Sequence, residues 1–208
     1  RLLLESEDYA KELGSRLKER VFEQVFPHLG HGFVEHVREH TGVRAVPQET
    51  LDEIFQGTLT LLYRLLFLLY AESRDLLPVR EVRGYWEASL KRLKEEVAGH
   101  AGPIEDEVEA KLKRAYRNDS FVLWERFEAL FAIVDRGDTA LNVPFYNGGL
   151  FLTKPDNDDD TPEACAARFL ASHRIGDRDL AQAIDLLSRS EDAKSHAQVA
   201  IDYKSLGV

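Results

Sequence analysis

Apolar residues recur at every fourth position from Leu13 through Leu17, Val21, Val25, Leu29, Phe33 and Val37, the spacing of one amphipathic helical face between Asp8 and Val37. Pro27 lies inside this run, and a ring that lacks an N–H opposes a continuous helix, so a break is expected there. After the turn-rich EHTGVRAVPQ, a second helix is predicted from about Glu49 to Arg74, closed by Pro78. Its Leu61 to Tyr70 portion is apolar nearly all round, the pattern of a central rod with neighbours on several sides. GYWEASLKRLKEEVAG, with Gly99 suited to a C-cap, and GPIEDEVEAKLKRAYRN, with Pro103 and acids near its start, read as solvent-facing helices. NDSFVLWERFEALFAIVDRG sets Leu123, Phe127, Leu130, Phe131 and Val134 on one face, with Asp119 or Ser120 as cap and Gly137 as stop.

From Asp138 to Thr161 the residues are those of turns, followed by short helices at about Pro162 to Ala171 and Asp177 to Ser188, the second capped by Asp177 or Asp179. SRSEDAKSHAQ is polar enough to read as a loop or a disordered link. There is no internal repeat, and the period is helical almost throughout. The expected fold is therefore all-α (mainly α), an irregular multi-helix bundle around a central apolar helix. It forms a single domain over residues 1–208, with a helical core at 1–137 and a turn region plus short helices at 138–208. At most a short strand pair is expected, near Phe151 or Ile201.

Composition narrows the function classes. With 208 residues and 44% hydrophobic content a sizeable core is feasible. A net charge of −10 repels polyphosphate, so any nucleic-acid contact needs a local basic patch. Arg64, Arg74, Arg80, Arg83, Lys154, Arg174 and Arg178 are the candidates, although Arg74 and Arg80 bracket the end of the rod, where cations also balance the helix dipole. The single Cys165 excludes an intramolecular disulfide and a multi-cysteine metal framework, which fits a reducing, cytoplasmic setting; within EACAARF it is expected to be a core thiol. LLYRLLFLLYA falls short of the roughly 20 apolar residues of a membrane span and carries Arg64, so it is expected to be a buried helix with no membrane partner. The opening RLLLESEDYA shows neither a signal-peptide pattern nor an initiator and reads as part of a longer protein.

The segment NVPFYNGGLFLTKPDNDDD concentrates the candidate chemistry. Asn142, Pro144, Phe145 and Tyr146 are the residue types with which amino-methyltransferases hold an extruded base, but Val143 and Phe145 interrupt the required Asn-Pro-Pro-aromatic order. Gly148-Gly149 offers backbone amides to an anion, but no strand-turn-helix frame surrounds it. A tight turn needing positive φ, plugged onto the core by Tyr146, Leu150 and Phe151, is the preferred reading of Tyr146, Asn147, Gly148 and Gly149. Asp156, Asp158, Asp159 and Asp160 lack the Gly and closing Glu of a calcium loop and read as a solvated acidic stretch. Pro155-Asp156 with Asp192-Ala-Lys194 or Asp202-Tyr-Lys204 contains the residue types of a metal-dependent nuclease, in segments that read as helical instead of as the strands such sites need. His36 and His40 have the i, i+4 spacing of a shared metal, with Glu35 or Glu39 near, but the order is not His-Glu-x-x-His. His28, His31, His36 and His40 are expected as exposed surface histidines.

Taken in order, YAKELGSRLKERVFEQVFPHLGHGF, LTLLYRLLFLLYAESRDLLPV, VPFYNGGLF and AIDYKSLGV resemble consecutive landmarks of the helical connector region of large adenine-specific DNA methyltransferases of restriction-modification and phage-defence systems, including type IIG-like fused enzymes. The resemblance covers nearly the whole chain. It implies a preceding segment, often a nuclease, and a following methyltransferase domain that uses S-adenosylmethionine, with Tyr203 to Val208 leading into it. It carries no catalytic, cofactor or metal residue onto this chain. The expected partners are the neighbouring nuclease and methyltransferase domains, and DNA through the intact parent. Other classes left open are a metal-dependent nuclease at Asp156 with Lys194 or Lys204, and a helical protein-interaction domain.

Overall fold

The computed structural model describes residues 14–80, 84–146, 148–192, 195 and 197–205. Arg83, Asn147, Lys194 and the start of the first predicted helix lie outside the described residues. Helical structure begins at residues 14–20, widens into a π-helical turn at Val21–Val25 and continues as α1, Phe26–Thr41. Then come α2 (Gln48–Ser73), the single turn α3 (Tyr85–Ala88), α4 (Leu90–Ala101), α5 (Glu105–Ala115), α6 (Val122–Arg136), a 3-10 turn (Gly149–Phe151), α7 (Pro162–Ser172) and α8 (Asp177–Ser188). Strands β1 (Arg189–Glu191) and β2 (Gln198–Ala200) close the chain as an antiparallel pair, Arg189 opposite Ala200. The fold is mainly α, as the helical period requires.

Pro27 does not break the first helix. The proline sits in the first turn of α1, and the preceding π turn widens the backbone where a proline ring would otherwise crowd the carbonyl four residues back. Val21, Val25, Leu29 and Phe33 therefore stay in register and are all buried. The third predicted helix is interrupted at Ser89, whose hydroxyl caps the Arg92 N–H. The helix ends at Gly102 (φ 78°), so Gly99 is an interior residue. The polar SRSEDAKSHAQ stretch supplies β1 and the start of β2, giving the strand pair expected next to Ile201.

One hydrophobic cluster runs from Val21 to Tyr203, and two helices share its centre. Among the described helices α2 alone is long and apolar enough to cross a membrane, and 56% of its most apolar stretch is buried inside the protein. It packs on α1, α4, α7 and the 3-10 turn, while α8 packs on the π turn, α1, α4, α5 and α6. The central place of α8 is hidden by its polar sequence, DRDLAQAIDLLS. Asp177, Asp179, Gln182 and Asp185 are all buried, and each aspartate has a partner on another segment or on Arg189.

Helix α6 shows why local capping rules miss such contacts. Its first N–H groups are satisfied by Asp177 of α8, which accepts from Val122 N (3.1 Å), Leu123 N (2.8 Å) and Ser120 Oγ (2.6 Å). Asp119, one of the two caps expected from sequence, pairs with Arg117, and α8 itself starts after Gly176 without a side-chain cap. Glu72 of α2 does the same for α4, accepting from Leu90 N, Lys91 N and the Tyr85 hydroxyl. Burial pushes the Glu72 carboxyl up from its ordinary range, against the pull of these donors.

Candidate functional site

The NGGLF region is built around Arg64. This side chain is only 3% exposed, and its guanidinium donates to the carbonyls of Leu150 (2.7 Å) and Leu152 (2.9 Å) across from α2. It also lies over the rings of Phe131 (4.9 Å) and Phe151 (5.8 Å). Burial lowers its pKa from 12.5 to about 10, while Asp135 raises it. Asp135 grips the same segment through Thr153 N (3.0 Å) and Thr153 Oγ1 (2.6 Å). Tyr146 anchors the other end, its hydroxyl donating to the Leu76 carbonyl and its ring meeting Phe67 edge-on.

The constraint on this glycine pair is space at Gly149 and not handedness, and a Cβ on Gly148 would meet nothing. Gly148 has φ −137°, and the positive φ values of this region fall at Gly137 and Asn142. A Cβ on Gly149 would stand 2.8 Å from Glu163 Cγ, so the second glycine lets the turn lie flat against α7. Asn142 and Val143 end a small closed turn that starts at Asp138: Asp138 pairs with Val143 through both backbone bonds, its carboxylate accepts from Ala140 N and Leu141 N, and the chain from Pro144 to Tyr146 continues without regular structure.

The remaining cations are dispersed. Arg80 forks onto Asp75, Arg74 lies over the Tyr70 ring, and Arg178 donates to the carbonyls of Tyr116 and Lys113 at the end of α5. Exposed Arg174 lies over Phe121. Exposed Lys154 lines a small cavity of about 180 Å³ with Arg64 and Arg136, the last of which the sequence reading missed. Arg64 itself, buried and bound to carbonyls, does not present its guanidinium to a phosphate.

Of the four histidines expected at the surface, His31 and His40 are exposed, His28 is half-buried and His36 is buried. His36 is 8% exposed and meets His40 (ring centroids 4.0 Å) and His173 (5.6 Å), and its pKa falls to about 4 through burial, with His40, His173 and Arg174 adding to the effect. His31 Nδ1 stands 3.1 Å from Asp179 Oδ2, and His28 Nδ1 stands 3.9 Å from Oδ1. Burial raises the Asp179 carboxyl, but the hydrogen bonds and charges of His28 and His31 together hold it below its ordinary range. Asn118 exchanges bonds with the same aspartate, so this cluster ties the connection before α6 to α1 and α8. Among the described residues no group of three or more His, Cys, Asp or Glu side chains is arranged to hold a metal ion.

The acidic loop leads into α7. Thr161 caps that helix, Asp159 accepts from Thr161 N, and Arg168 binds the carbonyls of Asp156 and Asp159. Cys165 is exposed, contrary to the expected core thiol. α7 turns Ala164, Ala166, Ala167, Phe169 and Leu170 inward and leaves Cys165 on the outer face, 3.5 Å from Arg168 Nη2. It borders a groove of about 960 Å³ between α2 and α7. Comparisons with protein-family models, with curated proteins and with solved structures find no match to this chain.

Proposed function

We propose that this chain is a helical connector of a DNA adenine-N6 methyltransferase or fused restriction-modification enzyme, which orients neighbouring nuclease and methyltransferase domains beside a DNA channel. The observation that supports the reading is the Arg64 clasp. LLYRLLFLLYAE and YNGGLF, the two segments whose pairing carries the resemblance, lie far apart in sequence and meet through one buried guanidinium. The other two landmarks are pinned to the same core: Arg20 donates to the Arg189 carbonyl, and Tyr203 donates to the Leu187 carbonyl. Residue types that invite a catalytic reading of the Asn142 to Tyr146 stretch are used as a turn and an anchor. In this account the chain supplies rigidity, S-adenosylmethionine belongs to the parent's methyltransferase domain, and the parent works on DNA in the cytoplasm.

The test is calorimetric titration of S-adenosylmethionine into the 208-residue chain. No saturable heat is expected. Saturable binding, or methyl transfer to adenine by this chain alone, would overturn the connector reading.

A further inference from the structure

The groove of about 960 Å³ between α2 and α7 falls in the size range of binding sites. Gly57 makes its floor possible: a Cβ there would stand 2.1 Å from Phe169 Cδ1, so the α2 backbone rests directly on that side chain. Leu150, Tyr63 and Ala166 complete an apolar floor. The walls are acidic, with Glu49, Asp52 and Glu53 on α2 and Glu163 on α7. Arg168 is the arginine of this lining, and it is held by the Asp156 and Asp159 carbonyls with the Asp160 carboxylate 3.7 Å away. Exposed Leu51, Phe55 and Tyr63 extend an apolar edge along the same helix.

An apolar floor between carboxylate walls selects an occupant that is apolar on one side and cationic along its margins. A nucleic acid is repelled there. A second copy of this chain, at net charge −10, would bring further excess negative charge to the rim. From Glu49 to Tyr63 the wall runs about 21 Å at the helical rise, the length of about four turns of a facing helix. We propose that this groove docks a basic amphipathic helix of a protein partner, its apolar seam on Tyr63, Leu150 and Phe169 and its Lys and Arg side chains against Glu49, Asp52, Glu53 and Glu163. Docking needs no methyltransferase neighbour, so it holds or fails separately from the connector reading.

The probe is a fluorescein-labelled amphipathic Leu/Lys peptide of about 18 residues, titrated into the full 208-residue chain with anisotropy as readout. Saturable binding is expected, weakened by about 0.5 M salt and by about tenfold or more in Asp52→Lys/Glu53→Lys. Both positions are exposed, so the fold should survive, which circular dichroism checks. A peptide with Glu in place of Lys should bind the reversed variant better than the original protein. Glu125→Lys/Glu128→Lys on α6, an equal change of net charge away from the groove, should leave affinity within about twofold. Absence of saturable binding, equal loss in the α6 variant, or equal binding of an oligolysine without an apolar seam would each overturn the proposal.

Discussion

Replacing Arg64 with Met keeps an unbranched apolar stem and removes the guanidinium, so it isolates the clasp between α2 and the NGGLF turn. Two charge-assisted hydrogen bonds are worth about 1.5–3 kcal/mol each, and the contacts with Phe131 and Phe151 add about 0.5–2 kcal/mol. Against this stands the burial of the charge. The fall in pKa from 12.5 to about 10 corresponds to roughly 3 kcal/mol against the charged form. The net loss for Arg64→Met is therefore expected between about 0.5 and 5 kcal/mol, and its centre, about 2.5 kcal/mol, is a fall in melting temperature of about 5–10 °C for a chain of this size. Urea unfolding gives the magnitude, and amide exchange gives the location. The N–H groups of Phe151 and Leu152, bonded to Gly148 and Gly149, should lose protection before those of α6 do. An unchanged urea midpoint with Phe151 and Leu152 still protected would refute the view that a buried guanidinium holds this segment.

Asp177→Ala removes the cap that α8 supplies to α6 and leaves the Val122 and Leu123 N–H groups unpaired, so urea unfolding should show a loss of about 1–3 kcal/mol. Gly57→Ala forces a methyl group against the Phe169 ring and should cost about 1–3 kcal/mol by the same measurement; an unchanged midpoint would contradict the close approach of α2 and α7. His36 has a folded pKa near 4 against 6.5 when unfolded, so the unfolded chain binds the extra proton between these values. Its contribution is full above about pH 6.5 and is lost as pH falls towards 4. Melting curves at pH 7.5 and pH 5 should converge in His36→Leu relative to the original chain, and an identical pH slope in both would count against a buried neutral His36.

The helices themselves were legible because their apolar spacing is local. The predicted Glu49 to Arg74 helix is observed at Gln48–Ser73, and the predicted Asp177 to Ser188 helix has those ends. What was not legible depended on partners distant in sequence. Asp177 looked like the cap of its own helix, yet its carboxylate serves α6, because packing brings the start of α6 beside it. Arg64 stood among the candidates for a phosphate contact while lying in a helix expected to be buried, and only the arrival of Leu150 and Leu152 shows why it tolerates burial. His36 and His40 were visible as a pair, but the burial of His36 was not, nor was its ring contact with His173 beyond α7. Gly148-Gly149 read as a left-handed turn by residue type, whereas the constraint on Gly149 is the nearness of Glu163.

The central claim, that this helical unit serves a DNA adenine methyltransferase, is tested most directly by translating the coding sequence beyond Val208. The account predicts an acidic-Pro-x-x-Gly-x-Gly cofactor loop followed by Asn-Pro-Pro-Tyr in the same reading frame. A reading frame that closes without either motif would contradict it.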